Sequence, residues 1–465
     1  MFRKSVISIT CSLLVPFSAY ADDSGWQQLD EQDAQCQLEV AAECHEDESI
    51  YAEEEGETAE QQKEKNERAV ERELDADEDP LNKLIAERLI RKKEIKEAIA
   101  SGDEARAEQM KKEDDSDYEL YGSLYMRYRS IDGVGHSWQD NGSRIGANGH
   151  YQTAPESWLF GRVELGFNLL DELKINRFST PDDNNDDVYI FDGESVHTRL
   201  AYIGFQSRNN TFAIGKNWST YYQIAGFTDR FDSMGGEAAG AYNAGTDGGG
   251  AGTGKADNVF QTRMNLDLFS AITNLKPLSV NMQIQYGEPI PGINDAYYGL
   301  GYGVSTIIEA WNNLSFGIAY NHSNVSPDLN MSRTDLNSLS GDMNALLVGA
   351  RWFNDDWFVG ATISKSNNMH TADNKQYFSG IGAEFYGQYQ FSPNIWLLGG
   401  FNKLKPDSDQ LQAQHYELDY SVLGLRYSIK GFSRMFYVEN RFDNGTTFDN
   451  KKRGNQIAAG IRWGF

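Results

Sequence analysis

The sequence predicts an all-β protein: a closed antiparallel transmembrane β-barrel of about sixteen strands, preceded by an acidic helical or disordered segment. Three observations lead there. Side chains from Tyr118 to Phe465 alternate apolar and polar with period two. Tight turns alternate with long polar loops. The chain ends on an aromatic residue that belongs to its last alternating run.

That run is GNQIAAGIRWGF. Ile457, Ala459, Ile461, Trp463 and Phe465 fall on one side of a strand, and Gln456, Ala458, Gly460, Arg462 and Gly464 fall on the other. Termini of water-soluble proteins fray, so a last residue seldom completes an apolar face. Lipid wants that face outside. In a bilayer every backbone group must be paired, so the sheet closes on itself and its last strand meets its first. Trp463 and Phe465 then join an aromatic girdle at the membrane edge. A soluble β-sandwich or soluble barrel is the alternative; it explains neither the loop asymmetry nor the terminal Phe.

The same grammar runs through the body. In VNMQIQY, Val280, Met282, Ile284 and Tyr286 oppose Asn281, Gln283 and Gln285. In SGIGAEFYGQYQF, Ile381, Ala383, Phe385, Tyr389 and Phe391 oppose Glu384, Tyr386, Gln388 and Gln390. Trp357, Val359, Ala361 and Ile363 share a face, as do Met264, Leu266 and Leu268. Short turns are expected at 207–211, 311–313, 353–356, 392–394 and 430–433, and long loops near 170–196, 219–257 and 323–342. Composition agrees. Aromatic residues make up 12% of the chain and glycine 44 of 465 residues, against only 10 prolines, which suits a large sheet. The mean hydropathy is -0.59, and past the first residues no run of about 18 apolar residues occurs, which excludes a helical membrane protein.

Residues 1–21 read as a signal peptide: Arg3 and Lys4, an apolar run from Val6 to Phe17, then Ala19-Tyr20-Ala21 before the expected cleavage. Residues 22–79 form an acidic, largely disordered segment, and residues 80–117 a helical periplasmic one. Asp79 serves as N-cap, Pro80 as first helical residue, and Leu81, Ile85, Leu89, Ile95 and Ile99 as a narrow apolar stripe. Residues 22–117 carry 33 acidic and 13 basic side chains, against 36 and 27 in residues 118–465; the whole chain has a formal charge of -27. Nucleic acid is therefore not expected as a partner. Cys36 and Cys44 are the two cysteines left after cleavage, and an oxidising compartment makes them a disulfide candidate, two free thiols being the alternative.

From residue 118 onward the chain resembles the trimeric general diffusion porins of Gram-negative bacteria. YELYGSLYMRYRS is similar to that family's opening DLYG strand, SRIGANG to its ARLGFKG, and GRVELGF to its third strand. HTRLAYIGFQ and FAIGKN resemble TRLAFAGLK and YGRN, GFTDRFDSMGGE the start of the loop that folds into the pore, and FQTRMNLDLF the stretch ATYRNSNFFG. The resemblance implies an inward-folded third loop and a homotrimer in the outer membrane. It implies a water-filled channel for passive diffusion of ions and small hydrophilic solutes, without enzyme activity, cofactor or metal. It also implies contact with membrane lipid and lipopolysaccharide, and recognition of the terminal strand, ending in Phe465, by the barrel assembly machinery.

The resemblance further implies a constriction in which wall arginines face acids on the inward loop, creating a transverse field. By motif position the bases are Arg144, Arg199 and Arg263. The acids are Asp229 and Glu237 on the loop and Glu164 on the wall; Asp232 stands beside Ser233, which occupies a position where the family carries a glutamate. Alternation agrees for Arg263, opposite Met264 and Leu266, and for Arg144, opposite Ile145. Ordinary lumen residues bonded to neighbouring carboxylates are the alternative for each. PDDNNDD in the second loop reads as a solvated acidic loop, with a divalent-cation site as the alternative.

A substrate-selective channel of the same architecture is the main competing function. An outer-membrane hydrolase is disfavoured, since the six barrel histidines are scattered and no GxSxG stretch occurs. A tether is the remaining option, in which residues 22–117 contact periplasmic partners or the cell wall; it is compatible with a pore.

Overall fold

The computed structural model describes residues 116–154, 156–170, 196–266, 278–294, 296–310, 313–326, 337–339, 341–430 and 434–465. The leader, the acidic segment, the predicted helix, Cys36, Cys44 and the PDDNNDD loop lie outside them.

The described strands are β1 Ser116–Ile131, β2 Gly135–Asp140, β3 Arg144–Ala154, β4 Ser157–Phe167, β5 Val196–Gln206, β6 Asn210–Trp218, β7 Lys255–Leu266, β8 Leu278–Pro289 and β9 Tyr297–Glu309. They continue with β10 Leu314–Ser326, β11 Met343–Phe353, β12 Trp357–Thr371, β13 Tyr377–Ser392, β14 Ile395–Pro406, β15 Leu418–Lys430, β16 Arg434–Asp443 and β17 Gln456–Gly464. A short helix, α1 Tyr222–Ala225, lies between β6 and β7. Apart from β2 and β3, each strand pairs antiparallel with its chain neighbour, and β1 pairs with β17 from Ser123↔Gly464 to Ile131↔Gln456, which closes the barrel.

Seventeen segments make sixteen barrel strands, because β2 and β3 are one strand interrupted. Both pair with β1, β2 against Met126–Ile131 and β3 against Ser116–Ser123. At the break, the Asp140 carboxylate accepts the amides of Gly142 (2.7 Å) and Ser143 (2.8 Å), and Gly142 takes φ 94. This is an Asx turn, in which a side chain replaces the ladder partner.

The barrel is apolar outside and polar inside. On β8, Met282, Ile284 and Tyr286 are 38%, 53% and 71% exposed, whereas Asn281, Gln283 and Gln285 are 2–3% exposed. A soluble protein would reverse this, so the outer face is built for lipid. On β17, Ile457, Ile461, Trp463 and Phe465 face outward while Ala458 and Arg462 are buried. Beyond the apolar stretches of their strands, outward Lys365, Lys403 and Lys405 pair with Asp407, Asp419 and Glu417. Charge on the lipid face is least costly at such interfacial depth.

One end of the barrel turns tightly, at 207–209, 354–356 and 393–394, while the other carries 168–195, 219–254, 327–342 and 407–417. Among the described residues the asymmetry has exceptions: 132–134 and 372–376 are short turns at the long-loop end.

Residues 219–254 fold into the barrel and supply most of its internal packing. Tyr221, Tyr222, Ile224 and Phe227 join one buried cluster with wall residues including Ala319, Ala345 and Leu347. The wall beneath is cut back to glycine. A Cβ on Gly317 would overlap Ile224, one on Gly360 would overlap the Phe227 carbonyl, and one on Gly382 would overlap that of Ala238. Glycine inside a strand weakens it but lets another backbone approach closely.

Candidate pore constriction

Glu164 is the centre of the wall cluster. Its strand, β4, alternates Arg162 and Glu164 inward against outward Val163. Its carboxylate accepts Arg199 Nε at 2.8 Å, Arg162 Nη2 at 2.7 Å and the Tyr121 hydroxyl at 2.9 Å. Arg162 also lies 4.7 Å from the centroid of the Tyr121 ring. Arg144, buried at the start of β3, acts electrostatically on the same carboxylate. The structure thus gathers Arg144, Arg199 and Glu164, and adds Arg162 and Tyr121, which sequence reasoning had not singled out.

Arg199 reaches this cluster through a β-bulge. Strict alternation would place it with the outward residues Ala201 and Ile203. Instead Glu164 pairs with Leu200 and Leu165 with Thr198, so Arg199 is the extra residue on β5. Leu200 is buried beside it, and both point inward. Re-aiming a side chain in this way is a recurrent use of bulges.

Arg263 stands apart from that cluster. Its Nε donates to Asn281 Oδ1 at 2.7 Å, and it lines a cavity with Gln223, Gln261, Asn217, Tyr202 and Phe160 beneath the inward loop.

The loop acids have partners other than those expected. Asp232 forms a two-point ion pair with Arg426 of β15, at 2.8 and 2.9 Å. Glu237 meets Arg441 of β16 at 2.9 Å. Asp229 accepts the Tyr222 hydroxyl at 2.9 Å and lines a cavity with Arg230, Arg426 and Arg462. The cause is the path of the loop. It crosses the wall from β10 to β16 and brings its tip to β1, so its acids meet the arginines of the far strands.

Two wall carboxylates hold the loop down. Glu439 accepts the amides of Asp232 (2.6 Å), Ser233 (2.9 Å) and Met234 (3.0 Å), and Glu384 accepts the Ala239 amide and the Thr228 hydroxyl, both at 2.6 Å. At the tip, the Asp232 carbonyl accepts Tyr125 Oη and Asn141 Nδ2, each at 2.7 Å. Asn141 sits in the break between β2 and β3, so the interrupted strand serves as a receptor for the loop tip.

No family model matches the chain. The chain is 26% identical over 184 residues to outer membrane protein F of Serratia marcescens, covering 38% of this chain and 44% of that protein. It is 22% identical over 311 residues to outer membrane porin N of Escherichia coli, covering 63% and 74% respectively. Among solved structures, Salmonella typhi OmpF in complex with daunomycin superposes with a TM-score of 0.60 at 19% identity, over 76% of this chain and 98% of that one. A sixteen-stranded lipid-facing barrel and two porin relatives agree. In fold and in sequence the chain is similar to Gram-negative outer-membrane porins.

In this barrel the residues that sequence reasoning missed are mostly anchors: Glu384, Glu439, Arg426 and Arg441. A signal existed. Each is a charged residue on the polar face of a strand whose other face is apolar. What local sequence lacks is the partner, since Arg426 and Asp232 are 194 residues apart.

Proposed function

We propose that this porin is a water-filled channel through which ions and small hydrophilic solutes diffuse passively across the outer membrane. The observation that carries the reading is the inverted barrel with residues 219–254 folded inside it, opposite an arginine-bearing wall. Such a passage filters by size and charge and needs no chemistry. The reading excludes catalysis as the role of the barrel and requires no cofactor or metal.

The proposal extends to assembly. The chain acts as a homotrimer in contact with lipid and lipopolysaccharide, and the barrel assembly machinery recognises the strand ending in Phe465. Residues 1–21 are a leader. Residues 22–79 are a disordered acidic segment, and the residues from 80 up to the start of β1 at Ser116 are a periplasmic helical segment that contacts a periplasmic partner or the cell wall.

Single-channel recording in planar bilayers tests the reading. Stable, ohmic, non-saturating steps are expected with the full chain, and also with a chain starting at Asp117. Conductance that saturates with one solute would favour a substrate-selective channel. Loss of conductance in the shortened chain would make the N-terminal segment part of the pore.

A further inference from the structure

Arginines on the lumen side of neighbouring strands occupy successive levels of the barrel. Expressed in the register of β1, Arg441 stands at the level of Ile131, through Gln456. Arg129 and Arg127 follow on β1 itself. Arg462 pairs with Tyr125, and Arg144 pairs with Ser123. The five guanidiniums therefore start from residues two register positions apart, from the outer part of the barrel to the edge of the Glu164 cluster. Arg162 and Arg199 continue the series on β4 and β5. Seven adjoining barrel strands, β15, β16, β17, β1, β3, β4 and β5, each carry a lumen arginine.

Two register positions correspond to about 7 Å along a strand. The screening length at physiological salt is about 8 Å. The fields of successive arginines therefore overlap, and an anion leaving one guanidinium is already within reach of the next.

The groups that hydrogen-bond the two middle steps carry no charge. Arg127 donates to Gln139 Oε1 at 2.9 Å and Ser233 Oγ at 3.0 Å, and Arg129 to Gln456 Oε1 at 3.0 Å; all three are neutral. Three acids on these strands meet loop amides or the outermost and innermost arginines. Glu439 holds loop amides, Asp443 pairs with Arg441 at 2.7 Å, and Glu164 serves Arg162 and Arg199. Asp232 and Glu237, expected to oppose Arg144, Arg199 and Arg263, are held by Arg426 and by Arg441, the outermost step.

We propose that this arginine staircase is an anion track, and that the channel is selective for small anions of the carboxylate and phosphate class. The inference rests on the channel reading above and names its solute. Arg127 and Arg129 are its specificity-determining steps, since they guide ions to the Glu164 cluster without belonging to it.

The test is the reversal potential of the full chain in a KCl gradient, with inorganic phosphate added as a competing anion. The wild type should pass chloride in preference to potassium, and phosphate should reduce the chloride current. Arg127→Gln with Arg129→Gln should lower the chloride-to-potassium permeability ratio about threefold, the order expected for charges at this spacing in water. Arg127→Lys with Arg129→Lys should restore it. A conducting wild type that prefers potassium overturns the track alone. An unchanged ratio in the inserted Gln double variant overturns the role of these two residues and with it the track. Folded, inserted protein that passes no current overturns the channel reading itself.

Discussion

Phe465 and Gly122 form the seam of the barrel. Their backbones exchange two hydrogen bonds of 2.9 Å, and the phenyl ring of the last residue lies where a side chain on Gly122 would stand, 2.6 Å from its Cβ position. The final residue is thus paired, in register, with the first strand. Two hydrogen bonds at about 1 kcal/mol each, plus the contact of the ring with Gly122, are lost with it.

Deleting Phe465 should therefore impair closure as well as recognition of the terminal strand. Gly122→Val should do so too, by displacing the ring while leaving the C-terminus intact. The check is the yield of heat-modifiable, membrane-inserted protein. Wild-type yield from both variants would show that the seam contributes nothing to assembly.

The two ion pairs of the inward loop should differ in weight. Asp232 and Arg426 are 5% and 1% exposed, so Asp232→Asn strands a buried guanidinium, at a cost of about 3–5 kcal/mol. Glu237 is 45% exposed, and Glu237→Gln should cost about 0–1 kcal/mol. Thermal unfolding in detergent should show a clear fall in Tm for the first and almost none for the second. Equal effects would contradict the burial argument.

The wall arginines should also differ from one another. Arg199→Ser removes a charge from the Glu164 cluster, whereas Arg263→Ser removes one from a separate cavity. Both should shift the reversal potential towards cations with the barrel folded. The shift for Arg199→Ser should be the larger, because Arg144 and Arg162 share its site. A larger shift at Arg263 would place the selective point beneath the loop instead.

Glycines under the loop set its height in the pore. Gly360→Val would drive a side chain into the Phe227 carbonyl and push the loop towards the opposite wall. Overpacking of this kind costs about 1–3 kcal/mol. Single-channel conductance should fall, while Gly399→Ala, at a site with only ordinary contacts 3.5 Å away, should leave it unchanged.

Alternation along each strand was legible in the sequence by itself. It depends only on which side chain follows which, so VNMQIQY and GIRWGF each declare two unlike faces, and the turns at 207–209, 354–356 and 393–394 and the lumen side of Arg144 and Arg263 follow from the same local rule. Tertiary structure decided the rest, because closure of the barrel sets relationships that no local pattern contains. The bulge that turns Arg199 inward depends on how β5 registers against β4. The break at 141–143 makes room for a loop tip some ninety residues away. Asp232 and Glu237 met Arg426 and Arg441 because the inward loop follows the glycine-lined wall to its far side. The even spacing of Arg441, Arg129, Arg127, Arg462 and Arg144 arises only when β16, β17, β1 and β3 are locked in register, which is a property of the closed sheet and of no single strand.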